Sequence, residues 1–109
     1  MKKMEAVIMK ETVVGFASEL KTLPKEITID GELYYLNKAG EQDEYVLLSS
    51  TCPHAGGTVM SHENMLYCPL HMWTFDSQTG QCLNASSYCL DSWKVEARED
   101  GRLVVFLAV

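Results

Sequence analysis

Short apolar runs, cut by turn residues at intervals of about ten, recur along the chain and indicate strands rather than helices. Residues 13–17 read as a first strand, 18–25 as a connection with at most one helical turn, and 26–29 as a second strand ending on Asp30-Gly31. Asp-Gly between two strand-like runs is a hairpin signal. Residues 32–37 form the return strand, Ala39-Gly40 opens a polar turn, and 45–48 make a fourth strand. Further on, 65–67 and 73–75 are short strands, and "DSQTG" at 76–80 is a tight reversal. Trp93, Val95 and Ala97 alternate with Lys94, Glu96 and Arg98, so this strand turns one face to the core and the other to water. "EDG" at 99–101 reverses it into 102–108, an almost unbroken apolar run that reads as a buried strand. Residues 1–11 fit either an extra strand or a loose arm.

The fold class is therefore all-β, and 109 residues suit one domain with one core. Hydrophobic residues make up 47% and charged residues 22%, which gives enough apolar material to bury. Nine basic against fifteen acidic side chains give a formal net charge of −6. That sign opposes phosphate backbones and anionic membranes and favours a partner with a basic patch, so no nucleic acid is expected as ligand. The apolar run at 6–9 is broken by Lys10 and Glu11, too short for a signal-peptide core. No stretch approaches the roughly 20 apolar residues that span a bilayer. A soluble, cytoplasmic protein is the expectation, and in that reducing compartment its four cysteines are free or metal-bound rather than paired in disulfides.

The chemistry concentrates in two loops where the strand pattern lapses. "CPHAGG" at 52–57 supplies Cys52 and His54, and "CPLHMW" at 68–73 supplies Cys68 and His71, with thirteen residues between His54 and Cys68. Two thiolates and two imidazoles suit either one tetrahedral zinc or an iron–sulfur cluster with nitrogen donors on one iron. The usual zinc spacing pairs two cysteines and then two histidines, whereas here each loop supplies one of each. A two-iron cluster with distinct ends accounts for that arrangement. Gly56 and Gly57 permit close approach and leave amide N–H groups able to point at cluster sulfurs.

These residues, with "CPLHMWTFD" and the following "TGQC", resemble the Rieske [2Fe–2S] family, whose signature is C-x-H in one loop and C-x-x-H in a second. The resemblance covers most of the chain and implies an antiparallel β-sandwich with a small cluster-binding subdomain, about residues 50–76, formed by the two loops. It implies one [2Fe–2S] cluster per chain, with Cys52 and Cys68 on the inner iron and His54 and His71 on the outer. Rieske proteins of the cytochrome bc complexes add an inter-loop disulfide and a serine bonded to a cluster sulfur; those places hold Gly57, Leu70 and Trp73 here. Fewer donors to the cluster imply a potential toward the lower end of the roughly −150 to +300 mV Rieske range, as in ferredoxins that serve oxygenases. Met72 replaces a common glycine, and Asn84 and Ala85 stand where many relatives carry a Gly-Pro over the cluster.

The resemblance thus implies a soluble electron carrier with no small-molecule substrate, passing one electron from a flavin-dependent reductase to an oxygenase or other redox enzyme. Catalysis is expected in a partner protein. An oxygenase also needs a mononuclear iron held by two histidines and a carboxylate, and the one remaining histidine, His62, cannot build it. The alternatives are a Rieske-like small subunit of a larger reductase, as in nitrite reductases, and a zinc-stabilised binding module. Cys82 and Cys89 are expected to be small buried residues outside the site, His62 a solvated loop residue, and Trp73 and Phe75 core aromatics. The acidic run "GEQDE" at 40–44 reads as a solvated turn.

Overall fold

The computed structural model describes residues 8–40, 44–53, 56–70, 72–85 and 87–108. Strands β1 (Met9–Phe16), β2 (Lys25–Ile29), β3 (Glu32–Lys38) and β4 (Tyr45–Ser49) precede the first cysteine loop. Strands β5 (Met60–His62), β6 (Met65–Cys68) and β7 (Trp73–Phe75) follow it, and β8 (Ser92–Ala97) and β9 (Arg102–Ala108) close the chain. A short 3-10 helix, Ala17–Glu19, is the single helical element among the described residues. No helix there is long and apolar enough to cross a membrane.

All strand pairs are antiparallel, in a six-stranded sheet of order β1-β9-β8-β4-β3-β2 and a three-stranded sheet β5-β6-β7. The β2–β3 hairpin turns on Asp30 and Gly31, both at positive φ (51° and 84°), the conformation a two-residue primed turn requires. The large sheet curls, so that Gly15 of β1 lies against Leu36 of β3, with Leu36 Cδ2 3.9 Å from where a Cβ on Gly15 would stand.

Strands β3 and β4 are covered on both faces, which explains why "YVLL" is apolar without interruption. Leu36, Tyr45 and Leu47 join Val14, Val95, Leu103 and Val105 in one core inside the curl. Tyr35, Val46 and Leu48 point the other way into a second core, with Cys52, Val59, Leu66, Cys68, Phe75, Cys82 and Leu90. The small sheet supplies that second core from its inner face, since Leu66 pairs with Phe75 and Cys68 with Trp73.

Several expectations change at the edges. The first strand begins at Met9 rather than at 13, so Met9–Glu11 belong to an extra stretch of strand paired with β9; residues 1–7 lie outside the described residues. Strand β5 is additional, and His62 ends it, paired with Met65, although its side chain is solvated as expected. Ala97 is exposed rather than core, because it sits beyond the part of β8 that pairs with β4. The acidic run at 40–44 lies partly outside the described residues.

Candidate metal centre

The two cysteine loops leave adjacent positions of the framework. Loop 1 departs from the end of β4 and returns into β5, with Val59 N–H donating to Ser50 O (2.6 Å) and a bridge between Thr51 and Thr58 at its base. Within it Cys52 N–H donates to Gly57 O (2.7 Å) and Gly56 N–H donates to Cys52 O (2.9 Å). Gly56 sits at φ 69°, where a side chain would be strained. Its freedom is thus used to close the turn, and its amide is given to Cys52 O instead of being left for a cluster sulfur. Loop 2 leaves β6 at Cys68 and re-enters at β7.

Cys52 and Cys68 are brought into the same core, 2% and 1% exposed, and both are free thiols. The loops meet at Gly57. A Cβ there would lie 3.1 Å from Cys68 Sγ and 2.6 Å from Leu70 Cδ1, so the absence of a side chain is what lets the second thiol and Leu70 seat against the first loop. The expected close approach at Gly57 is therefore met. His54 and His71 lie outside the described residues.

Strand β3 is the shelf on which this subdomain rests. Its odd-numbered residues face it: Leu33 packs against the cysteine-bearing core, and Leu33 O accepts a bond from Ser50 Oγ (2.7 Å). Tyr35 donates its buried hydroxyl to Val59 O (2.7 Å), and Asn37 donates its side-chain amide to Ser77 O in the reversal after β7. Burial, which disfavours a phenolate, raises the Tyr35 pKa above 10.0. None of these three ties was flagged by sequence pattern, since each depends on what lies opposite in space.

On the other side, the segment after β7 folds back along it. Phe75 bridges to Cys82, Leu83 N–H donates to Thr74 O (2.8 Å), and Asn84 Oδ1 accepts from Thr74 N–H (2.7 Å) and Thr74 Oγ1 (3.1 Å). Asn84 thus clamps the strand that follows His71, and Ala85 packs on the cysteine core. Trp73 and Phe75 are core aromatics as expected, Trp73 partly buried and tilted against Tyr88. Cys82 is buried, but Cys89 is exposed, which corrects the expectation for it. Gln81 pairs directly with Cys89, so by strand alternation Cys82 turns to the opposite face, and the two thiols do not meet.

The model of the Rieske [2Fe-2S] domain matches residues 10–94, more than three quarters of the chain. The chain belongs to the Rieske [2Fe–2S] family. Membership implies one [2Fe–2S] cluster per chain, and two buried, unpaired thiols in one core, with Cys68 Sγ seated against the first loop at Gly57, fit such a group. Among curated proteins, cholesterol 7-desaturase of Caenorhabditis elegans is 33% identical over 63 residues, which is 53% of this chain and 14% of that protein. This Rieske chain therefore aligns with a small fraction of that relative's length. Among solved structures, one assigned as the small subunit of an NADH-dependent nitrite reductase from Mycobacterium tuberculosis superposes with a TM-score of 0.63 at 17% identity. The match covers 94% of this chain and 98% of that one. The ferredoxin of carbazole 1,9a-dioxygenase from Nocardioides aromaticivorans superposes with a TM-score of 0.59 at 22% identity, covering 87% and 95%. At these identities the likeness is one of fold.

Proposed function

We propose that this Rieske chain is a one-electron carrier whose cluster is held by Cys52 and Cys68 at the inner iron and by His54 and His71 at the outer. The convergence of the two cysteines from separate loops into one dry core carries this reading. The C-x-H and C-x-x-H spacing supplies the histidines. The cluster, when bound, supplies reversible one-electron chemistry. The chain's part is to keep both thiolates from water and to fix the loops against β3.

Electron transfer needs approach rather than a pocket, so no small-molecule substrate is required and catalysis belongs to a partner. The fold shared with the carbazole dioxygenase ferredoxin favours a flavin-dependent reductase as donor and an oxygenase as acceptor. Residues 50–90 contain Glu63 and Asp76 but no Lys or Arg, so the acidic charge that would steer a basic partner lies mainly outside the cysteine-bearing segment. The test is anaerobic purification with iron and acid-labile sulfide analysis and electron paramagnetic resonance after dithionite. Mixed nitrogen and sulfur ligation lowers the average g below that of all-cysteine clusters. A colourless protein with one zinc and no sulfide would refute the reading.

A fixed-subunit role is the second reading, favoured by one surface. Met9 and Val13 of β1 and Phe106 of β9 share the outer face of the large sheet and are exposed, beside the Arg98–Glu11 ion pair. A permanent subunit would cover such a strip, and the fold is shared with the nitrite reductase small subunit. Co-elution with a large subunit in native size-exclusion chromatography supports this reading; a free monomer supports the carrier.

A further inference from the structure

The geometry points to Tyr35 as a positioning residue for the cluster, its phenol holding the closing end of loop 1 and, through it, both cysteines. This rests on Cys52 and Cys68 being ligands. Val59 is gripped from two sides: its N–H donates to Ser50 O across the loop base, and its carbonyl accepts from Tyr35 on the neighbouring strand. Val59 is fully buried, so no water can replace the phenol as donor without the peptide moving. The residues between Val59 and the site are few. Thr58 bridges to Thr51, Gly57 O accepts from Cys52 N–H, and Gly57 is the residue against which Cys68 Sγ and Leu70 are seated. A turn of the Val59 peptide therefore shifts Gly57, and a shift of Gly57 reaches one cysteine through a hydrogen bond and the other through contact.

A phenylalanine would fill the same space in the core, so volume alone does not explain a tyrosine whose hydroxyl reaches away from its own sheet to a ligand loop. Tyr34, next in sequence, provides the contrast. It turns to the other face, its ring meets Trp93 edge-on (centroids 5.6 Å apart), and its hydroxyl bonds Glu32 at the surface.

The test is Tyr35→Phe against Tyr34→Phe in cluster-loaded protein, read by the g-values of the reduced state and the midpoint potential. Tyr35→Phe is expected to shift both while far-ultraviolet circular dichroism stays unchanged; Tyr34→Phe is expected to leave both at the wild-type values. A purely structural role would lower thermal stability without moving either, and a Tyr35→Phe spectrum and potential that superimpose on wild type overturn the proposal. If Tyr35→Phe does not fold, 3,5-difluorotyrosine at position 35 keeps the ring and alters only the strength of the hydroxyl as donor to Val59 O, and an unaltered spectrum and potential there overturn it equally. Wild-type protein without a cluster overturns the ligand reading itself, and this inference with it; wild-type protein with a cluster but insensitive variants overturns this inference alone.

Discussion

Replacing Gly57 by alanine adds one methyl group at the narrowest point between the two cysteine loops. The new carbon would stand 2.6 Å from Leu70 Cδ1, 3.1 Å from Leu70 Cγ and 3.1 Å from Cys68 Sγ. Ordinary carbon contacts lie at about 3.5–4.0 Å, so all three must give. Leu70 is 60% exposed and can swing outward at a rotamer cost of about 1 kcal/mol. Cys68 has no such freedom, and a displaced sulfur in a filled core adds to a total of about 1–3 kcal/mol, the usual range for overpacking. Gly57 is not among the positive-φ residues, so no backbone strain enters, and the stiffer unfolded chain of the variant returns about 0.5 kcal/mol. The net loss is about 1.5 kcal/mol, or a fall in Tm on the order of 10 °C for a domain of this size. The assay is thermal unfolding at a fixed scan rate together with cluster content per chain. Adding Leu70→Ala to Gly57→Ala is expected to recover part of the Tm but not any lost cluster content, because the sulfur contact remains. A Gly57→Ala protein matching wild type in Tm and cluster content would show that the loops are not in contact there.

Met72 occupies the left-handed region (φ 56°), which costs a non-glycine residue about 1–2 kcal/mol, so Met72→Gly is expected to raise stability by up to about 1 kcal/mol after the entropy of glycine is counted. Thermal unfolding checks this, and a lower Tm contradicts it. Of the four cysteines only Cys89 is exposed, so a thiol reagent is expected to label one site in the native protein; Cys89→Ser abolishes that labelling and leaves the cluster spectrum intact. The phenols of Tyr34 and Tyr35 have pKa values raised, in each case first by burial. Above pH 10 the unfolded chain ionises these groups more readily than the folded chain, so stability that is fully present below that pH is lost as pH rises through the folded-state values. A phenolate absorbance titration of the folded protein should show both ionising above the range of a free tyrosine; ionisation at or below that range would contradict this.

Local pattern was sufficient wherever one strand decides its own fate. The Asp30-Gly31 turn, the strand β9 and the two cysteine-bearing loops were legible because turn chemistry and alternation act over a few residues. Strand β5 was not, since Met60–His62 has three residues, one of them serine, and turns on Glu63 at φ 57° in place of the usual glycine. The exposure of Cys89 depends on a pairing with Gln81 formed only after the chain folds back. The ties from Tyr35 and Asn37 span 24 and 40 residues, and nothing in a tyrosine or an asparagine announces its distant acceptor. Gly56 shows a subtler limit: the sequence offered its amide to a cluster sulfur, and the fold, with Gly56 at φ 69°, gives that amide to Cys52 O.

Because β3 faces two ways, it also governs which length changes this lineage can survive. Inserting or deleting one codon within 32–38 would exchange the two populations of side chains, handing Leu36 to the ligand loops and Tyr35 to the interior of the curl. Codons can be gained or lost in the connecting segments without that penalty. Drift in gene length should therefore spare β3 and the equally two-faced β4, along with the spacing of the cysteine loops, and accumulate in the other connections; β3 acts as the ruler from which both halves of the molecule are measured.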